Sequence, residues 1–196
     1  MLGREVFLCK CSTDVAGGRD RDATGGGLRF VSGGEAHLCL LDKTSHGREH
    51  EIEFRARLAR GEHWVLGLLG ERVATYTWLH TRPRCAYPYL KSCAFSLPVP
   101  FGYGYDAWTS PELRGGGLRR QAFVHELRTL RSLGKDWEAS FFVSYQLAGA
   151  CRSLARAAIE IVPLWRIALG ADRRLTIERL AATDRDASPE FTPDAE

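Results

Sequence analysis

The sequence predicts an α/β (α+β) protein in which helices flank a single mixed, mostly antiparallel sheet. Three observations lead there. Short runs of β-formers are separated by Gly and Pro. A helical period runs over residues 117–133, with Leu118, Ala122, Leu127, Leu130 and Leu133 on one side and Gly134 after it. The order is strands, helix, hairpin, strand, helix, strand, helix, strand, which one sheet satisfies with a parallel strand–helix–strand crossover in the second half.

The elements follow from local chemistry. Residues 5–11 alternate around Val6, Phe7 and Leu8 and predict a first strand. Residues 12–27 hold five glycines and five Asp/Arg charges, which reads as a Gly-rich loop. Short strands are expected at 28–31 and 36–41. Residues 49–60 predict a charged helix with Ile52, Ala56 and Ala59 on its buried face, stopped by Gly61. A hairpin is expected from 63–69 and 72–80 across Gly70-Glu71. The four prolines of 81–100 mark a stiff aromatic connection. A strand at 101–108 precedes the helix at 117–133. A strand at 139–145, a small-residue helix at 148–158 and a final strand at 159–169, interrupted by Pro163, complete the sheet. One domain is expected over 1–180, with a flexible tail at 181–196.

Composition excludes several classes. With 44% hydrophobic and 26% charged residues the chain can bury an ordinary core. A net charge of +3, with local pairs at Arg119-Arg120 and Arg173-Arg174 but no massed basic run, argues against nucleic acid. The N-terminus enters a strand without a basic leader, and no apolar run approaches the ~20 residues a membrane span needs. A cytoplasmic protein with no membrane span is expected. The six cysteines form no CxxC pair, so reduced, mostly buried thiols and no metal are expected.

The chemistry concentrates in residues 109–121, Thr-Ser-Pro-Glu-Leu-Arg-Gly-Gly-Gly-Leu-Arg-Arg-Gln. Glycines without Cβ let a ligand approach the main chain, and the N–H groups of a helix start favour an anion. Arg119 and Arg120 fall in the first helical turn, where positive charge opposes the macrodipole by a few tenths of a kcal/mol; a bound anion would account for them. The spacing is neither that of a P-loop nor that of a dinucleotide fold.

A strand, Pro-x-x-Arg-Gly-x-Gly and a helix in this order resemble the pyrophosphate-binding segment of GCN5-related N-acetyltransferases (GNAT). The resemblance covers roughly residues 49–169. The 63–80 hairpin is similar to the family's second and third strands, and Tyr105-Asp106-Ala107-Trp108-Thr109 to its fourth. Residues 114–119 match the Arg/Gln-x-x-Gly-x-Gly/Ala motif at Arg114 and Gly117, with Arg119 replacing the last small residue. Gly134-Lys135 matches the approach to strand five. Residues 150–157 resemble the helix before strand six, with Leu147, Leu154 and Ala158-Ile159 where the family often has Asn, Tyr and Gly-Phe.

The resemblance implies a GNAT-like acyl-CoA N-acyltransferase fold, with acetyl-CoA or another acyl-CoA as donor and transfer to an amine by direct attack. Main-chain N–H groups of Arg114, Gly115, Gly116, Gly117, Leu118, Arg119 and Arg120 would hold the phosphates. Trp108 and Thr109 would face the thioester carbonyl. For the base, Asp106 competes with His80, Tyr105 and Tyr103, His80 being suited because imidazole titrates near neutrality. His125, in mid-helix, is read as structural. Tyr145, taken as the end of strand five, would be the acid in place of the Tyr lost at Leu154, and water is a rival for both proton transfers. Residues 86–101 with Tyr103, Tyr105 and Trp108 would form an aromatic wall for the acceptor. The expected partners are a small-molecule amine acceptor and a second copy in a homodimer. Two alternatives stand beside this: a long-chain N-acyltransferase fed by an acyl carrier protein, and a non-catalytic GNAT fold that senses a ligand or binds a partner.

Overall fold

The computed structural model describes residues 5–15, 27–43, 50–86, 93–169, 175–180 and 190–193. In chain order these form β1 (Glu5–Ser12), β2 (Leu28–Gly33), a 3-10 helix (Glu35–Lys43), α1 (Glu51–Ala59), β3 (His63–Leu69), β4 (Arg72–His80), β5 (Arg84–Ala86) and β6 (Cys93–Ser96). Then come β7 (Phe101–Thr109), a 3-10 turn (Pro111–Leu113), α2 (Leu118–Ser132), β8 (Trp137–Val143), α3 (Ser144–Ala155), β9 (Val162–Leu169), β10 (Leu175–Arg179) and β11 (Glu190–Pro193). Eight strands make one mixed sheet in the order β10-β9-β1-β8-β7-β4-β3-β2, flanked by helices, as the sequence predicts. A second sheet, β11-β6-β5, lies within what the sequence presents as the 81–100 connection and the tail. Most of the Gly-rich loop at 12–27 and residues 87–92 lie outside the described residues.

Contacts divide the chain into two compact units. One comprises Val15–His80 and Gly104–Thr129. Its core is aromatic because β3 and β4 place Trp64 opposite Trp78, the rings stacking at 5.5 Å. Phe54 of α1 inserts edge-on at 5.2 Å from Trp64, 5.4 Å from Tyr76 and 5.0 Å from Trp78. β2 can lie against this pair because residue 33 is glycine: a Cβ there would sit 2.5 Å from the Trp64 ring.

Phe54 also corrects the expected face of α1. The buried side chains are Phe54 and Arg57, while Ile52 is 80% exposed. The largest ring, not the Ile/Ala series, sets the helix orientation, because its burial outweighs that of two alanines. The strand expected at 36–41 is likewise a 3-10 helix. Leu38 and Leu41, three apart, fall one above the other at three residues per turn, and both are buried.

The other unit comprises Met1–Asp14, Thr81–Tyr103 and Leu130–Glu196. Here β1 lies between β8 and β9, antiparallel to both. Pro163, which cannot donate to a ladder, falls opposite Cys9 where the register shifts between Leu8 and Cys9. The strand expected from 159 starts at Val162 and is followed by two more, β10 and β11. The strand expected at 139–145 ends at Val143, and α3 starts four residues earlier than predicted. Cys9, Cys11 and Cys85 are buried, Cys151 is half-buried and Cys39 exposed. Burial, then the neighbouring Cys151, push the Cys9 thiol up to about 12. Among the described residues no His/Cys/Asp/Glu group suits a metal, and no helix is long and apolar enough to cross a membrane.

Candidate functional site

The end of β7 leaves regular strand geometry. Asp106 has φ 49, the left-handed region, although it is not glycine. Such a conformation costs an L-residue about 1–2 kcal/mol, so its surroundings must hold it. The continuous burial of the strand's first half ends there, with Asp106 and Ala107 both exposed. From β4, the buried Thr77 hydroxyl donates to the Tyr105 carbonyl at 3.3 Å, and that of Thr75 to the Trp108 carbonyl at 2.7 Å. Side-chain hydroxyls thus bind the carbonyls on both sides of residue 106.

Beyond β7 the chain is anchored before it opens. The Ser110 N–H donates to the Ala74 carbonyl at 2.9 Å, and the Ser110 side chain is buried. The 3-10 turn follows, its Pro at the first position. Arg114 donates from Nε to the Thr109 carbonyl at 3.1 Å. Gly115 and Gly117 then take φ 85 and 80, values only glycine adopts freely. The first intrahelical bond of α2 runs from Gln121 N–H to the Gly117 carbonyl at 3.2 Å. The N–H groups of the first turn precede any carbonyl the helix can offer them, and Gly115 and Gly116 are exposed. A Cβ on Gly117 would lie 3.1 Å from the Arg120 guanidinium, so that cation is folded over the glycine main chain. The result is an exposed glycine main chain with one guanidinium beside it, suited to a phosphate-sized anion.

The two adjacent arginines separate in role. Arg119 makes a very short ion pair to Oε1 of Glu126 and a 3.2 Å bond to Oε2, and its guanidinium lies 5.5 Å over Phe123. Glu126 is fully buried. The Arg119 charge therefore neutralises an interior carboxylate two turns on, which the sequence reading of a basic pair did not anticipate. Leu118 is buried and sets the rotation of the helix start.

The remaining predicted residues disperse. The Asp106 carboxylate accepts from Arg57 at 2.6 Å. Tyr105 donates to Glu62 in a very short bond and lies edge-on to His80, ring centres 5.9 Å apart. Trp108 stacks on Tyr76 at 5.5 Å. Tyr103 is a core residue packed on Phe95 and Phe141, so it is no acceptor wall. His125 stacks on Phe30 at 4.9 Å. Tyr145 does not end a strand; it lies in the first turn of α3, 71% exposed. Leu154 is buried.

Sequence reading missed Arg57, Glu126 and the Thr75/Thr77 pair. Of these only the threonines left a signal, two hydroxyls at i and i+2 in an otherwise apolar strand.

No family model and no curated protein matches the chain. Solved structures do match. A GNAT-family acetyltransferase from Colwellia psychrerythraea superposes with a TM-score of 0.52 at 8% identity, over 82% of this chain and 54% of that one. A putative GNAT-family acetyltransferase from Novosphingobium aromaticivorans gives 0.52 at 14% identity, over 92% and 67%. The GCN5-related glucosamine N-acetyltransferase region of a fungal multi-domain GH3 beta-N-acetylglucosaminidase gives 0.55 at 12% identity, over 89% and 21%. The chain spans about half the length of the Colwellia protein. Its fold is that of the GNAT acyl-CoA N-acyltransferases.

Proposed function

We propose that this chain is an N-acyltransferase that moves an acetyl or other acyl group from acyl-CoA to an amine by direct attack. The observation that carries the reading is the Gly115–Gly117 cradle, with Arg120 folded over it, at the start of α2 and directly after the distorted end of β7. The main-chain N–H groups of residues 114–120 and the Arg120 guanidinium take the pyrophosphate of the donor. The segment around Trp108 and Thr109 presents its backbone to the thioester carbonyl.

The amine nitrogen forms a bond to the acyl carbon, the carbonyl π electrons move to oxygen, and their return breaks the C–S bond. The proton lost by nitrogen passes to His80, directly or through water, and the thiolate takes one from solvent. Asp106 is not the base in this reading, because its carboxylate is engaged by Arg57. The thiolate leaving group explains why a lost tyrosine is tolerable. A thiol titrates near 8.5, so its anion is a weak base that gains little from a general acid at neutral pH. Solvent supplies the proton, and neither Leu154 nor the exposed Tyr145 is required.

Acyl-CoA is favoured over an acyl carrier protein because the Arg119 charge, available in sequence for an acidic carrier, is spent on Glu126. The test is calorimetry with coenzyme A on the wild type and on Gly117→Leu. A side chain there meets both the φ of 80 and the Arg120 guanidinium. Affinity should fall by at least about 100-fold, roughly 2.7 kcal/mol, with circular dichroism unchanged. Equal affinity in a folded variant removes the premise. Product detection by mass spectrometry with acyl-CoA, acyl carrier protein and an amine panel then separates the three functions: turnover from either donor, or binding alone.

A further inference from the structure

Arg57 is an unusual residue for the buried face of a short helix. Its side chain is 8% exposed, and its guanidinium carbon lies 5.3 Å from the Phe54 ring centre, 5.2 Å from Trp78 and 5.0 Å from Tyr105. Three rings thus confine it, one from α1, one from β4 and one from β7. From this cage it donates to Asp106 Oδ2 at 2.6 Å and makes a very short bond to Glu53 one turn earlier. A guanidinium held on so many sides has one orientation, and its fork geometry passes that orientation to the carboxylate it binds.

The carboxylate it fixes belongs to the one described strand residue whose backbone is left-handed, φ 49. From the β4 side, Thr77 and Thr75 hold the carbonyls of Tyr105 and Trp108. They bond the main chain before and after residue 106, not its carboxylate. Arg57 bonds the carboxylate.

We infer that Arg57 is a positioning residue: by clamping Asp106 it holds β7 in its distorted conformation and so aims the Trp108–Thr109 backbone at the donor's thioester. It acts through Asp106 and touches no substrate. The inference rests on the acyltransferase reading for its purpose but not for its geometry, and the two fail separately.

The experiment turns on what glycine can do at residue 106. Asp106→Ala removes the clamp and leaves a Cβ that opposes φ 49. Asp106→Gly removes the clamp too, yet glycine enters that region without strain. Asp106→Ala should lower kcat by about 10- to 100-fold, the loss that a misplacement of about 1 Å produces. The KM for acyl-CoA and the calorimetric affinity for coenzyme A should stay within about twofold, since the phosphate cradle is untouched. Asp106→Gly should keep kcat within about threefold of wild type. Arg57→Leu should behave as Asp106→Ala does, and the Arg57→Leu/Asp106→Gly double variant should recover to the level of Asp106→Gly.

If Asp106→Gly loses as much kcat as Asp106→Ala, the carboxylate itself is what matters and the positioning role is wrong. An unrecovered double variant overturns it as well. Should Arg57→Leu fail to fold, the two Asp106 variants decide alone. Should the wild type turn over no amine, the acyltransferase reading fails and amide hydrogen exchange over 105–109 decides the clamp. Exchange should rise about tenfold in Asp106→Ala and stay near wild type in Asp106→Gly. Equal exchange in both refutes it.

Discussion

The start of α2 and the end of α3 are both helix termini that call for a left-handed residue, and the chain meets the two demands differently. Before α2, Gly115 and Gly117 take φ 85 and 80 with their main chain facing out. After α3, Ala158 takes φ 57, and the N–H of Ile159 reaches back to the Leu154 carbonyl at 3.1 Å while that of Ala158 reaches Ala155 at 3.0 Å. That is the closure glycine usually provides. Ala158 stands where the sequence resemblance expects glycine, and its backbone takes the left-handed shape that suits glycine. Leu154 and Ile159 beside it are buried.

The difference separates two kinds of constraint. Where something outside must reach the main chain, a methyl group obstructs, and glycine stays. Where only the helix must stop, the cost of a methyl is about 1–2 kcal/mol, which packing of Leu154 and Ile159 can offset. The first terminus leaves its main chain exposed and the second closes against the core.

This contrast can be broken. Its largest test is Leu154→Ala, which should cost about 2–5 kcal/mol in chemical denaturation, as buried leucines do. Coenzyme A affinity should stay within about twofold in the same variant under native conditions, since the two termini do different work. A parallel loss of affinity would mean they are not separable. Next, Gly115→Ala should destabilise by about 1 kcal/mol on melting, because φ 85 has open space around it and only backbone strain opposes the methyl. At the other terminus the sign reverses: Ala158→Gly should stabilise by up to about 1 kcal/mol, raising Tm by a few degrees. If it destabilises, Ala158 is not strained and the comparison loses its second half. The smallest effect belongs to Tyr145→Phe. With the side chain 71% exposed, stability should shift by less than about 0.5 kcal/mol, and kcat by less than about twofold if solvent protonates the thiolate. A pronounced fall in kcat would return Tyr145 to the role of acid.

The same contrast explains what could be read from the sequence. The glycine turn before α2 was legible because its determinants are contiguous: Pro111, Arg114 and the glycines sit together between a strand and a helix. The 63–80 hairpin was legible for the same reason, with Gly70 at φ 60 in its turn. The pairing of Arg57 with Asp106 was not, because 49 residues separate two groups that only the folded chain brings to 2.6 Å. The face of α1 was misread because helical periodicity allows several stripes, and the choice was made by an aromatic pocket built from β3 and β4. The placement of Tyr145 failed on a boundary: a shift of two residues moved it from strand end to helix start.

The place of β1 in the sheet has a consequence for how this chain comes into being. Val6 pairs with Val143 on one side and with Ile167 on the other. A ribosome releases residues 5–12 well before either neighbour of that strand, β8 (Trp137–Val143) or β9 (Val162–Leu169). Until then its apolar side chains Val6 and Leu8 and both its hydrogen-bonding edges stand open, and closing so long a loop is slow. The unit that contains α1, the hairpin and the glycine turn before α2 is complete in sequence by Thr129. It can form while β1 is still waiting, exposed to chaperones and to other nascent chains.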